Sequence, residues 1–196
     1  MNDHVQRPWA LFGLMVAALL VIACGTPQAQ QAADFDRQFI DMMVPHHQSA
    51  TEMAKLALTR SSRPEIKTLA QAIISAQENE IAQMKGWRKE WYGSDQTPAM
   101  DKMPMLPGMG DAMGHGGTAT MDMTKDVTTL RTAEPFDRQF IDAMRDHHRQ
   151  AIEAGRLVQT QGKRKEIRDL GTKIIVDQQR EIDQMTEWRR VWYGSA

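Results

Sequence analysis

Two adjacent histidine pairs, His46-His47 and His147-His148, and an excess of methionine are the residues of this chain best suited to chemistry. Fifteen methionines occur in 196 residues. Seven of them, Met100, Met103, Met105, Met109, Met113, Met121 and Met123, crowd into one stretch with His115. Neutral imidazole is the commonest metal-ligating side chain. Thioether is a soft, neutral donor that suits Cu(I) and needs no deprotonation. The chemistry on offer is metal binding. No nucleophile triad, phosphate loop or nucleotide fingerprint accompanies these residues. The single cysteine excludes an intramolecular disulfide framework and a Cys-rich zinc site. A net charge of −1 argues against a nucleic-acid partner.

The elements that must position the histidines are written twice. Phe35-Asp36-Arg37-Gln38-Phe39-Ile40-Asp41 returns as Phe136-Asp137-Arg138-Gln139-Phe140-Ile141-Asp142, and Trp91-Tyr92-Gly93-Ser94 returns as Trp192-Tyr193-Gly194-Ser195. The offset of 101 holds without a gap, which marks a duplication. Each copy reads as a helical hairpin. Phe39, Ile40, Met43, Ala50, Met53, Ala54 and Ala57 form a stripe of helical period in the first helix. Ile66, Leu69, Ile73, Ile81, Met84, Trp87 and Trp91 do so in the second. Ser62 and Glu65 have capping-box spacing at the turn, and Pro64 suits a first helical turn. Gly93 and Gly194 are expected to stop the second helices, with Gly162 at the turn of copy two. Pro45 should kink the first helix beside its histidines. Neither hairpin can bury its stripe alone. The expected fold is all-α, a ferritin-like four-helix bundle built from two duplicated hairpins (35–94 and 135–196).

Folding each hairpin about its turn sets residues equally far from that turn side by side. His46-His47 then lies level with Gln77 and, one turn on, Glu80; His147-His148 lies level with Gln178 and Glu181. About 15 residues, or roughly 22 Å of helix, separate the histidines from the turn, so both sets fall near the bundle midplane. The expected central layer holds four His, two Gln and two Glu, flanked by Met43, Met84, Met144 and Met185. It is either a metal site or a hydrogen-bonded network, since buried polar groups must be paired. A di-iron carboxylate site is disfavoured, because no Glu stands three residues before any of these His. The neighbours differ between copies, Val44-Pro45 against Arg145-Asp146 and Met53 against Ala154, so the first half is expected to be the softer ligand environment.

The 95–134 stretch between the copies has no apolar periodicity and reads as an exposed, methionine-rich linker long enough to cross the whole bundle. Its Met-x-Met pairs, Met103-Pro104-Met105 and Met121-Asp122-Met123, are expected to bind copper. At the N-terminus, residues 1–23 read as a signal peptide, with an apolar run from Trp9 to Ala23. Val21-Ile22-Ala23-Cys24 resembles a bacterial lipobox, making Cys24 the lipidation site and 24–34 a tether.

The run Phe39-Ile40-Asp41-Met42-Met43-Val44-Pro45-His46-His47-Gln48-Ser49-Ala50, with Glu52-Met53-Ala54 after it, resembles the signature of the domain of unknown function 305 family. Ile73-Ile74, Gln77, Glu80-Ile81, Gln83-Met84 and Trp87 are similar to its second-helix motif, and both repeats are covered. The resemblance implies a ferritin-like bundle, often exported, with some members copper-binding resistance proteins of the CopM type. It implies copper ligation at Met43, His46, His47 and Met84, and at Met144, His147, His148 and Met185. The leading expectation is an exported, lipid-anchored protein facing the periplasm or cell exterior. It would buffer copper, Cu(I) before Cu(II), or pass it to a transporter or chaperone. The alternatives are a metal-dependent redox enzyme using the midplane layer, or a structural lipoprotein without metal.

Overall fold

The computed structural model describes Met1, residues 27–109 and residues 120–194 of the chain. The signal segment, Cys24, Met113 and His115 lie outside them. Among the described residues, no helix is long and apolar enough to cross a membrane.

Four long helices form two hairpins. Helix α1 (Pro27–Arg60) pairs with α2 (Pro64–Tyr92), and α4 (Phe136–Gln161) pairs with α5 (Lys165–Tyr193). A crossover joins them through a 3₁₀ turn (Met100–Lys102), strands β1 (Met103–Pro104) and β2 (Thr120–Met121), and helix α3 (Thr124–Thr132). The strands pair antiparallel, with Met103 opposite Met121. Gly93 and Gly194 end α2 and α5 in the left-handed conformation that only glycine adopts without strain, each donating its N–H to the carbonyl four residues back. Other local expectations fail. The residue preceding α2 is Arg63, without side-chain capping, and Ser61 rather than Ser62 accepts a hydrogen bond there, from the Arg63 N–H. Pro64 does take the first helical turn. Helix α1 includes Pro45 and begins at Pro27, so most of the expected tether is helical.

The hairpins lie head to tail. Asp36, at the open end of the first, accepts hydrogen bonds from the Lys163 and Arg164 amides at the turn of the second (2.9 and 3.1 Å) and faces the Arg164 guanidinium (3.3 Å). The duplicated contact, Asp137 with Arg63 at 3.6 Å, sits at the other end. Each arginine lies over a tryptophan, Arg164 on Trp91 and Arg63 on Trp192. Arg88 pairs with Asp41 as Arg189 does with Asp142. An approximate two-fold axis thus relates residue i to residue i + 101. The crossover must travel the bundle's length, from Tyr92 beside Asp36 to Phe136 beside Arg63, which gives the ferritin-like up-down-down-up order.

Two apolar clusters fill the interior. One joins Phe39, Met43 and Met84 to Val158, Leu170 and Ile174; the other joins Ala54, Ile66 and Leu69 to Phe140, Met144 and Met185. The crossover packs into both. Met103, Met109 and Met123 are fully buried in the first cluster, and Val127 and Leu130 of α3 are buried in the second. Met100, Met105 and Met121 lie partly buried against the first. The described parts of the expected exposed loop are thus an integral layer of the fold. Each buried Met contributes roughly 1.5–3 kcal/mol by leaving water. Ser49 of α1 donates to the Met123 carbonyl (3.0 Å), so α1 is buried on nearly all sides between Met42 and Thr51.

Candidate metal centre

Between the two apolar clusters lies the polar layer. His46 and His47 from α1 and His147 and His148 from α4 are all buried, at 0 or 1% exposure. Adjacent residues on a helix point about 100° apart, so one ring of each pair faces the other hairpin and one faces its own. His46 meets His147 across the two-fold axis with ring centroids 3.7 Å apart. His47 turns to its own hairpin partner, its Nε2 2.7 Å from Glu80 Oε2, and His148 pairs with Glu181 at 2.6 Å. Gln77 and Gln178 are buried in the same layer. Met43 and Met144 stand one helical turn before His47 and His148, and with Met84 and Met185 they are fully buried in the flanking clusters. Every helix residue expected at the midplane is therefore where hairpin reflection placed it.

The bonding within the layer is only half complete. Neither ring nitrogen of His46 or His147, nor Nδ1 of His47 or His148, nor the side-chain oxygens of Gln77 and Gln178, makes a well-formed hydrogen bond to a protein group, although the Gln150 amide approaches His46 and the His46 backbone approaches His147. A buried polar atom left unpaired costs roughly 1–3 kcal/mol. A pure hydrogen-bond network would not leave its centre in this condition. The rings are nonetheless packed together, not spread around a common point. Among the described residues, no three His, Cys, Asp or Glu are placed to hold a metal ion.

Electrostatics keeps the central imidazoles in the ligating form. Burial pushes the proton affinity of His46 well below the ordinary value. The neighbouring imidazoles push the same way, and the Gln150 amide beside it offsets this only in part. His147 is lowered for the same reasons, burial first and then His148 and His47. Both are neutral at pH 7. Burial alone would raise the Glu80 carboxyl, but hydrogen bonds and charge from His47 and Lys173 outweigh it and hold the group below its usual range. A carboxylate on the outer nitrogen of an imidazole fixes ring orientation and raises its basicity, the usual arrangement behind a metal-ligating histidine.

The two halves differ in their outer contacts. Lys173 donates to the second oxygen of Glu80 at 2.7 Å, while the equivalent position opposite Glu181 is Ala72. Gln150 beside His46 and Lys173 on Glu80 were not evident from sequence. Both act between hairpins, where reflection within one hairpin gives no information. Of the crossover methionines, Met121 and Met123 line an open depression of about 430 Å³ with Asp122, Asp126 and Gln150. Met103 and Met109 are enclosed in the apolar core, away from solvent.

Comparisons with known proteins fit this arrangement. CopM in its Cu(I)-bound form is 36% identical and superimposes with a TM-score of 0.65 over 81% of this chain and 97% of CopM. Its Cu(II)-bound form gives 40% identity and a TM-score of 0.66 over the same shares. The uncharacterized protein L153 of Acanthamoeba polyphaga mimivirus is 37% identical over 86 residues, 43% of this chain, and the match spans only about half of that protein, 54%. The sequence profile described as Domain of unknown function (DUF305) matches residues 36–189, both hairpins and the crossover together, and the chain belongs to that family.

Proposed function

We propose that this protein binds copper as cargo in its histidine layer, and that it is an exported, lipid-anchored protein that buffers copper or hands it on. The observation that carries the reading is the set of buried, neutral imidazoles whose central nitrogens make no well-formed hydrogen bond to a protein group. Neutral imidazole ligates both Cu(I) and Cu(II), and buried thioethers one turn away at Met43 and Met144 bias the site toward the softer Cu(I). The likeness to CopM, solved with each oxidation state, supports copper over zinc or iron. Binding requires the closely packed, tilted His46 and His147 rings to part, so loading is coupled to a local rearrangement at the α1–α4 contact.

The crossover supplies a second set of donors. Met100, Met105 and Met121 are partly buried at the surface and are proposed as collecting ligands, together with Met113 and His115. Met103, Met109 and Met123 hold the crossover against α1 and become ligands only if it lifts. Anchoring at Cys24 would keep the bundle at the membrane face outside the cytoplasm, where copper arrives.

The test is a Cu(I) titration of the intact chain against a competing chelator, with a His46→Ala/His147→Ala variant and a variant carrying Leu at Met100, Met105, Met113 and Met121. The proposal expects the histidine variant to lose the tightest site and the leucine variant to lose weaker equivalents while keeping it. Undiminished tight binding in the histidine variant would refute a site in the layer.

A further inference from the structure

We infer that, of the two duplicated routes past a Glu–His pair, an ion takes the one past Glu181–His148, and that Lys173 closes the equivalent route past Glu80. This rests on the copper-binding reading above and concerns the path to that site.

Duplication makes the comparison internal to the molecule. His47–Glu80 and His148–Glu181 are the same pair, at 2.7 and 2.6 Å, related by the two-fold axis. Between α2 and α5, on that axis, lies a small enclosed cavity of about 10 Å³ lined by Gln77, Gln178 and both glutamates. It has room for about one water-sized species. Glu181 also lines an open groove of about 570 Å³ that runs past Ala72 to Trp188 on the outer surface, together with Glu65 and with Arg180, whose guanidinium is paired with Asp177 at 3.0 Å. One carboxylate therefore borders both the interior cavity and the solvent groove. Such an anionic group in a cleft attracts cations and raises their local concentration.

On the other side Ala72 is replaced by Lys173. Its ammonium lies 2.7 Å from Glu80 and 2.9 Å from Asp177, and Asp177 stands where the first hairpin has Ala76. The lysine ion-pairs with the Glu80 carboxylate, so a cation approaching on this side meets an ammonium where the other side has Ala72. Glu80 is correspondingly the more enclosed side chain, at 7% exposure against 15% for Glu181.

The experiment reads access with and without metal, on the intact chain. In metal-free protein, deuterium exchange at the imidazole Cε1–H is followed for each histidine by mass spectrometry of its peptide. Separately, the rate of loading by Cu(I) delivered from a weak chelator is measured. In the wild type His148 exchanges faster than His47. Lys173→Ala, which installs the residue already present at position 72, brings His47 up to the rate of His148. Ala72→Lys brings His148 down and slows loading by about tenfold, the low end of what a like charge at a cleft mouth does to cation association. Equal exchange at His47 and His148 in the wild type, or exchange insensitive to Lys173→Ala, overturns the inference. If copper binds and Ala72→Lys loads at the wild-type rate while folded by circular dichroism, the access route is wrong and the copper reading stands. If exchange behaves as stated but copper never binds, the route stands and the cargo reading falls.

Discussion

Mild acid perturbs the histidine layer without touching a residue. In the folded chain, burial and neighbouring imidazoles hold His46 and His147 well below the ordinary histidine value of 6.5, whereas the unfolded chain titrates near that value. Below pH 6.5 the unfolded state therefore binds more protons, so stability falls as pH falls. The layer contributes fully above the unfolded value and is lost progressively beneath it. The slope ceiling is about 1.4 kcal/mol per pH unit for each such group. Between pH 6.5 and 5.5 the unfolded imidazole goes from half to about nine-tenths protonated. The integrated loss is then about 1 kcal/mol each, or about 2 kcal/mol for the pair, a large fraction of a typical 5–15 kcal/mol. Glu80 does not confuse this window. Its folded value is lowered from 4.5, so its contribution is present above that pH and is lost only below it. The assay is urea unfolding followed by tryptophan fluorescence at pH 7.5, 6.5 and 5.5, with a metal chelator present. A His46→Asn/His147→Asn variant should lose about 2 kcal/mol less than the wild type between pH 6.5 and 5.5. Equal slopes, or a wild type that gains stability as pH falls, would refute the claim that these imidazoles are held neutral.

Three further outcomes follow from packing. Met103→Ala and Met109→Ala should each cost about 2–5 kcal/mol in denaturant stability, while Met→Leu at the same sites should cost under about 1.5 kcal/mol; equal, negligible costs would mean the crossover is not part of the core. Asp36→Ala removes a fully buried carboxylate from two turn amides and from Arg164, and should cost about 3–5 kcal/mol against near zero for Glu52→Ala on the surface. Gly171→Ala would put a Cβ 2.3 Å from Val158 Cγ1, and should destabilise by about 1–3 kcal/mol. The equivalent position in the first hairpin is Ala70, but the equivalent of Val158 there is the smaller Ala57, so a silent Gly171→Ala would show that Val158 can give way.

The sequence made the hairpins and the layer legible because both depend on local period and on reflection about a turn. Glu80 opposite His47 needs only helix geometry. What reflection could not supply was the relation between hairpins. The close approach of His46 to His147, Lys173 on Glu80 and the Asp36–Arg164 clamp depend on the head-to-tail packing. The linker was misjudged for a related reason. Met103, Met109 and Met123 follow no helical or strand period, yet they are buried because an irregular backbone lays them over α1. The same covering explains a difference noted in the repeats. Pro45 is buried in α1, whereas its counterpart Asp146 and the nearby Arg149 of α4 are exposed at 70% and 51%, so these two reflect a solvent-facing side of the second copy, while Arg145, the counterpart of Val44, is only 12% exposed and pairs with Asp142. The change in these neighbours reports coverage, and the histidines themselves are equally enclosed in both halves.

The most direct test of the central claim is X-ray absorption at the copper edge of the intact chain loaded with one equivalent of Cu(I). The account predicts imidazole scattering, from nitrogen ligands supplied by the histidine layer, with or without a thioether sulfur in the same shell. A shell of sulfur alone, with no imidazole signature, would place the copper on crossover methionines and contradict a metal centre in the bundle midplane.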